Sequence, residues 1–272
     1  MNEIHTPMIT VKETFKRSFG IYLNHFGKIA LVSVIPNSIA FLLWRITLAV
    51  FTIGGLNAKS LNNFASLSNV TFILCLVLLV AVVLVSIFGI VALIYMVVHH
   101  EKASLLESFQ YAIHFMWRYT IQNIIVGLFM SLGILIGAVI MMIIGIVLGY
   151  LSLDIMNAVF IWLTLIPLTI ALIFSSMLLF AQYSIIEKNQ SVKEALRYSW
   201  TLARPIWLGL TARILFIATI IAVVSIALKA IGFLGSLISV LTLTPFAVVY
   251  GYVLYADRAQ IAILKDTKEV QA

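Results

Sequence analysis

The sequence predicts an all-α fold: a polytopic membrane bundle of six transmembrane helices, arranged as three repeats of one amphipathic interfacial helix plus two spans. Three observations carry that expectation. The 272 residues are 63% hydrophobic and only 10% charged, with a mean hydropathy of +1.14, which is more apolar surface than a soluble domain of this size can bury. Six apolar runs each approach or exceed the roughly 20 residues that a helix needs to cross a bilayer. A hydroxyl residue followed three positions later by glutamate opens a short amphipathic segment in three places.

The first copy is Thr10-Val11-Lys12-Glu13-Thr14-Phe15, ahead of apolar runs at about Ile29–Phe51 and Thr71–Val98. The second, Ser104-Leu105-Leu106-Glu107-Ser108-Phe109, precedes runs at about Ile121–Leu148 and Ala158–Ile185. The third, Ser191-Val192-Lys193-Glu194-Ala195-Leu196, precedes Leu208–Leu228 and Ile231–Tyr255, which Lys229, Ala230 and neighbouring glycines join as a tight helical hairpin. One integral membrane domain, 1–272, thus divides into units of about 8–98, 102–186 and 189–256, followed by a short tail at 257–272.

The Thr/Ser-x-x-Glu spacing is that of a capping box, in which the hydroxyl accepts from the N3 amide and the glutamate reaches back to the N-cap amide. Thr10 with Glu13, Ser104 with Glu107 and Ser191 with Glu194 therefore each mark a helix start. Apolar and small residues then recur at one-face helical spacing. The stripes are Val11, Thr14, Phe15, Ser18, Phe19 and Tyr22; Leu105, Ser108, Phe109, Ala112, Ile113 and Met116; and Val192, Ala195, Leu196, Ser199, Trp200 and Ala203. Helices of this kind lie in the headgroup region with the stripe toward acyl chains or neighbouring spans. Pro205 ends the third.

Charge sets the orientation. Lys12, Lys16, Arg17, Lys28, Lys102, Arg118, Lys188, Lys193, Arg197, Arg204, Arg258, Lys265 and Lys268 fall on one side of the spans, against Lys59 and Lys229 on the other. The positive-inside rule then makes both termini cytoplasmic, and the net charge of +7 reflects contact with anionic lipid headgroups on that side, with no aromatic-basic interleaving of the kind nucleic acid requires. The first apolar run is too long for a signal h-region and reads as a retained span. Cys75, the single cysteine, cannot form an intrachain disulfide.

Within the third run Gly133, Gly137, Gly145 and Gly149 form small-xxx-small pairs that admit another helix closely. Pro36, Pro167 and Pro245 are expected to kink their spans. Four polar residues lie inside apolar runs: Asn37, Arg45, Gln182 and Arg213. Arg45, beside Trp44, and Arg213 can snorkel to opposite interfaces, while Asn37 and Gln182 are candidates for interhelical hydrogen bonds. No acidic residue lies in any run to complete a relay. The adjacent His99 and His100 point about 100° apart on a helix, which makes them poor joint metal ligands. The chain has no HExxH, phosphate-loop or GxSxG pattern, so neither catalysis nor a cofactor or metal is expected.

A proline-containing span, a polar joint, the run Ser191-Val192-Lys193-Glu194-Ala195-Leu196-Arg197-Tyr198-Ser199-Trp200 and then Trp207 resemble the YciC family of bacterial inner-membrane proteins. The order of segments is also similar to that of the membrane domain of some glycerophosphodiester phosphodiesterases. The resemblance implies a six-span bundle in the bacterial cytoplasmic membrane and no hydrolase activity, since no hydrolase domain is present. Two function classes stay open. One is a scaffold or envelope-maintenance protein working through lipid and a membrane-protein partner, and the other is a permease or exporter component with a pathway between the repeats.

Overall fold

A computed structural model describes residues 8–53, 69–149, 169 and 171–271. Among the described residues all regular structure is helical and no strand occurs. The elements are α1 (Val11–Asn24), α2 (Phe26–Ile53), α3 (Asn69–Val98) and α4 (Leu105–Gly149); α5 (Ala171–Glu187); and α6 (Val192–Ala203), a 3-10 turn at Arg204–Ile206, α7 (Trp207–Lys229) and α8 (Phe233–Gln271). Four helical stretches are long and apolar enough to cross a membrane, which marks a membrane protein: Phe26–Thr52, Thr71–Val98, Leu105–Ile140 and Val192–Lys229. They contain the first, second and fifth runs expected from sequence and the third as far as Ile140. The fourth run is described at residue 169 and from α5 onward, and the sixth lies within α8 from Phe233 on. Lys59, Asp154, Ala158 and Pro167 lie outside the described residues.

Helix boundaries follow local chemistry. His25 caps α1 with φ −117° and ψ 15°, so the first amphipathic helix is set off from α2. Pro205 confines the third to α6 through the 3-10 turn, because proline lacks the amide that an uninterrupted helix needs. Nothing comparable separates the second amphipathic segment from its span, and α4 runs through both as one helix of 45 residues. The segment expected as a tail, 257–272, is helical as far as Gln271. After Gly251 no glycine or proline interrupts the chain, and α8 continues as helix to Gln271. Pro245 is buried inside that helix. The hairpin between α7 and α8 closes at Gly232, whose φ of +78° is accessible to glycine at little cost, with Gly232 N–H donating to the Lys229 carbonyl at 2.9 Å.

Among the described residues α2 and α3 form the most extensive helix pair. Pro36 is buried in it, and a Cβ added at Gly89 would stand 2.6 Å from the Pro36 Cβ, so the ring of one helix sits in a notch of the other. Asn37 stays within α2, its amide donating to the Ser33 carbonyl at 2.8 Å and hydroxyl at 3.1 Å. It forms none of the interhelical bonds expected of it among the described residues.

Burial is concentrated at one end. Val91–Leu93, Met96 and Val97 of α3, Phe180, Tyr183 and Ile185 of α5, and Val249, Leu254 and Tyr255 of α8 are buried. The opposite half of the bundle turns Phe72, Ile73, Leu128, Leu135, Phe216 and Val223 outward. An exposed apolar surface of that extent requires acyl chains rather than water as its surroundings.

Candidate functional site at the buried polar end

Three helix starts border the buried end. At α6, Ser191 N–H donates to Glu194 Oε2 at 2.9 Å and Glu194 N–H donates to Ser191 Oγ at 3.4 Å. At α4, Ser104 N–H donates to Glu107 Oε2 at 2.8 Å and Glu107 N–H to Ser104 Oγ at 3.2 Å. Both boxes are reciprocal. At α1 only half forms: Glu13 N–H donates to Thr10 Oγ1 at 3.2 Å, while the Glu13 carboxylate turns to Arg17 Nε at 2.9 Å.

These partners hold all three carboxylates below the ordinary value of 4.5, chiefly through the Arg17 side chain at Glu13, the Ser104 amide at Glu107 and the Ser191 hydroxyl at Glu194. A carboxylate whose folded value is depressed supports its helix start fully above the unfolded value, and that support is lost as pH falls through the folded one. A spin label at Tyr198 should therefore gain mobility only below about pH 4.5. Replacing Ser191 and Glu194 by alanine should produce the same fraying at neutral pH, with about 1 kcal/mol from the N-cap hydroxyl. Unchanged label order in the double variant would remove the capping argument.

Each stripe is divided by residue size. Thr14 and Ser18 of α1, Ser108 and Ala112 of α4, and Ala195 and Ser199 of α6 are all 0% exposed. Some large members face out, Phe19 at 46% and Ile113 at 69% exposed, while Tyr22 is buried and Leu105, Phe109 and Leu196 pack partly buried against the core. Small residues thus bring each helix backbone onto the bundle. Ser199 Oγ also donates to the Met177 carbonyl at 2.7 Å, tying α6 to α5.

Inside, tyrosines connect α3, α5 and α8. Tyr183 Oη donates to the Val248 carbonyl at 2.9 Å and Tyr252 Oη to that of Val98 at 3.4 Å. Tyr255 Oη donates to the Glu187 carboxylate. Tyr183 and Tyr255 are stacked at 5.6 Å between ring centroids. Gly251 leaves room for this, since a Cβ there would fall on Tyr183 Oη. Ser176 Oγ and Thr211 Oγ1 share a buried hydrogen bond of 2.8 Å, and Arg118 Nη1 donates to Asn189 Oδ1 at 2.6 Å, where Asn189 adopts φ +51°.

Beside this core, the joint between α1 and α2 meets the loop after α3. The His25 and His100 rings are 5.1 Å apart in a T-shaped contact, and Lys28 Nζ donates to the Ala103 carbonyl at 3.4 Å. Burial, then His100 and Lys28, lower the His25 pKa below the usual 6.5. A cleft of about 350 Å³ lies here, lined by Val98, His99, His100, Glu101, Lys102 and Tyr252. Among the described residues no group of three His, Cys, Asp or Glu side chains could hold a metal ion.

A charged cluster joins α7 to α8. Arg258 is 6% exposed, and its Nε lies 3.3 Å from Asp257 Oδ2. Arg213 interacts electrostatically with Tyr250, Asp257 and Arg258. Tyr250 and Asp257 are two helical turns apart on one face of α8, and Arg213 Nη1 is buried. Its acidic neighbour is Asp257, which the sequence places just past the sixth run.

The other expected residues are dispersed. Arg45 is exposed, 5.7 Å from the Phe41 ring centroid at the far end of α2. Gln182 is half-buried in α5, next to Tyr183. Gly133 and Gly137 are buried, and Gly145 and Gly149 continue the same helix. Sequence reasoning missed Tyr183, Glu187, Tyr252 and Tyr255; the available signal was the crowding of Tyr250, Tyr252 and Tyr255 at the end of the sixth run. No known protein family, characterised protein or solved structure matches this chain.

Proposed function

We propose that the chain acts without catalysis, as a multi-pass scaffold or envelope-maintenance protein that works through lipid and protein contacts in the bacterial cytoplasmic membrane. In this reading the six apolar runs are six spans in three repeated units of the YciC-like kind, and the buried polar end and both termini face the cytoplasm. The observation that carries it is where the intramembrane polar groups find their partners. Ser176 bonds across helices to Thr211, while Ser175 Oγ and the Asn37 amide bond within their own helices to the carbonyls of Leu172 and Ser33, so these three groups are satisfied by protein. The cavity between α2 and α3, of about 300 Å³, is lined by apolar side chains such as Trp44, Leu48, Phe51, Phe72 and Leu76.

A permease with a pathway between the repeats needs the opposite, a site near midplane that water reaches from at least one face. Cysteine at Asn37, Ser175, Ser176 and Gln182, each in a Cys75→Ala background, should resist a membrane-impermeant thiol reagent from both sides. Labelling of two or more, with protection by a solute, would replace the scaffold by the permease. Reporters fused after Ala272 and within 187–190 should be active on the cytoplasmic side, and those near Lys59 or Asp154 on the outer side. An external C-terminus would reject the six-span arrangement.

A further inference from the structure

The joint between α1 and α2 closes on the loop after α3 through groups that carry, or can take up, positive charge. The His25 and His100 ring centroids are 5.1 Å apart at an interplanar angle of 69°, and Lys28 Nζ reaches the Ala103 carbonyl. α1 has a separate hold on α8, where Phe15 and Tyr22 pack edge-on against Phe246 at 5.4 and 5.8 Å between centroids. The seam can therefore open while the helix stays docked.

The ring geometry tolerates one proton and not two. In a T-shaped pair the positive edge of one ring meets the electron-rich face of the other, and a protonated edge over a neutral face is favourable. A second proton removes the neutral face and sets two like charges against each other across the contact. His100 is placed to take up a proton: its Nδ1 lies 2.9 Å from the Val97 carbonyl, which can only accept, so Nδ1 donates in either state and Nε2 titrates. His25 is placed to resist one, because burial, His100 and Lys28 hold its pKa below 6.5, against the weaker pull of Glu101.

The surrounding groups come from every neighbouring element. On α1 the nearest charge is Arg17, already paired with Glu13. α2 supplies Lys28, and the loop after α3 supplies His99, His100, Glu101 and Lys102. Glu107, at the start of α4, acts on Lys28 but is engaged by the Ser104 amide. From α8, the Tyr252 ring stands 6.3 Å from that of His100.

We propose that His25 and His100 form a pH-sensitive latch: the seam is closed while at most one imidazole is protonated and opens when both are, widening the cleft lined by His99, His100, Glu101, Lys102 and Tyr252. An imidazole with a lower pKa in the closed seam than in the open one favours closure above its open-seam value, and that preference is lost as pH falls through the closed-seam value. Opening therefore sets in below about pH 6.5, and each unit of difference changes the open-to-closed ratio by up to about tenfold. The helix-start carboxylates keep their support down to about pH 4.5, so the two transitions are separate.

Hydrogen–deuterium exchange of the full chain in phosphatidylcholine nanodiscs, corrected for the intrinsic pH dependence of exchange, reads the opening directly. The Ile29 and Ala103 amides, one on each side of the seam, donate to the carbonyls of His25 and His99. Protection of 24–30 and 98–104 should fall about threefold or more between about pH 7.5 and about pH 5.5, while 249–255, in the buried core, stays constant. His25→Gln and His100→Gln should each hold protection flat over this range, since either leaves a single imidazole at the contact. If His25→Gln loses its helical circular dichroism, His100→Gln decides. The proposal is overturned if wild-type protection does not change, if the change persists in either folded variant, or if 249–255 loses protection in parallel, which would mark general unfolding.

Discussion

Gly89→Leu should lower the thermal midpoint of the detergent-solubilised protein by many degrees. A single Cβ at this position already stands 2.6 Å from the Pro36 Cβ and 3.1 Å from its Cγ, and a pyrrolidine ring cannot swing aside as a flexible side chain can. Overpacking of a core costs about 1–3 kcal/mol, occasionally more. Leucine belongs above that range here, because α2 and α3 are the most extensively packed pair among the described residues and the added branch must force their backbones apart. Gly89→Ala should cost less. Gly127→Leu, where nothing lies within 4 Å of an added Cβ, should leave the midpoint near wild type. Equal midpoints for Gly89→Leu and Gly127→Leu would show that the Pro36 notch does not hold the pair together.

That notch also shows where sequence reading stops. Pro36 is legible as an irregularity in an apolar run, because proline removes a backbone donor wherever it stands. Its partner is not legible, since Gly89 is 53 positions away in a run without a distinguishing period, and only the packed structure joins them. The helix starts at Thr10, Ser104 and Ser191 were legible for the converse reason: capping is local chemistry between residues three apart. Even so, the diversion of Glu13 to Arg17 turns on a competing charge one turn further on.

The charged cluster was half legible. Arg213 stands out inside an apolar run, but Asp257 and Arg258 lie past the end of the sixth run, where no apolar pattern points to them. The hydrophobic runs themselves were the strongest signal, because the bilayer imposes their length. How their polar ends pack against one another is set by side-chain size and hydrogen-bond direction, which composition does not encode.

The amphipathic helices carry the largest consequence of that distinction. Periodicity alone grouped Ser199 with Trp200 on one apolar stripe, whereas Ser199 is 0% exposed and Trp200 is 38% exposed. Ser199→Leu should therefore be among the most damaging changes in the chain. It inserts three carbons where α6 touches α5, at about 1–3 kcal/mol, and removes the hydroxyl that bonds the Met177 carbonyl at 2.7 Å, leaving a buried acceptor unmet at roughly 1–3 kcal/mol more. The two effects act on the same contact, so α6 should detach before the spans unfold. Trypsin should then cut at Lys193 and Arg197 several-fold faster than in wild type, in parallel with a lowered thermal midpoint. Thr201→Leu, two positions along the same helix and exposed, with its hydroxyl bonded to the Arg197 carbonyl of its own helix, should change neither readout. Equal trypsin protection in the two variants would mean that α6 is held by its large apolar residues, and the inward face of small residues would no longer explain how these helices dock.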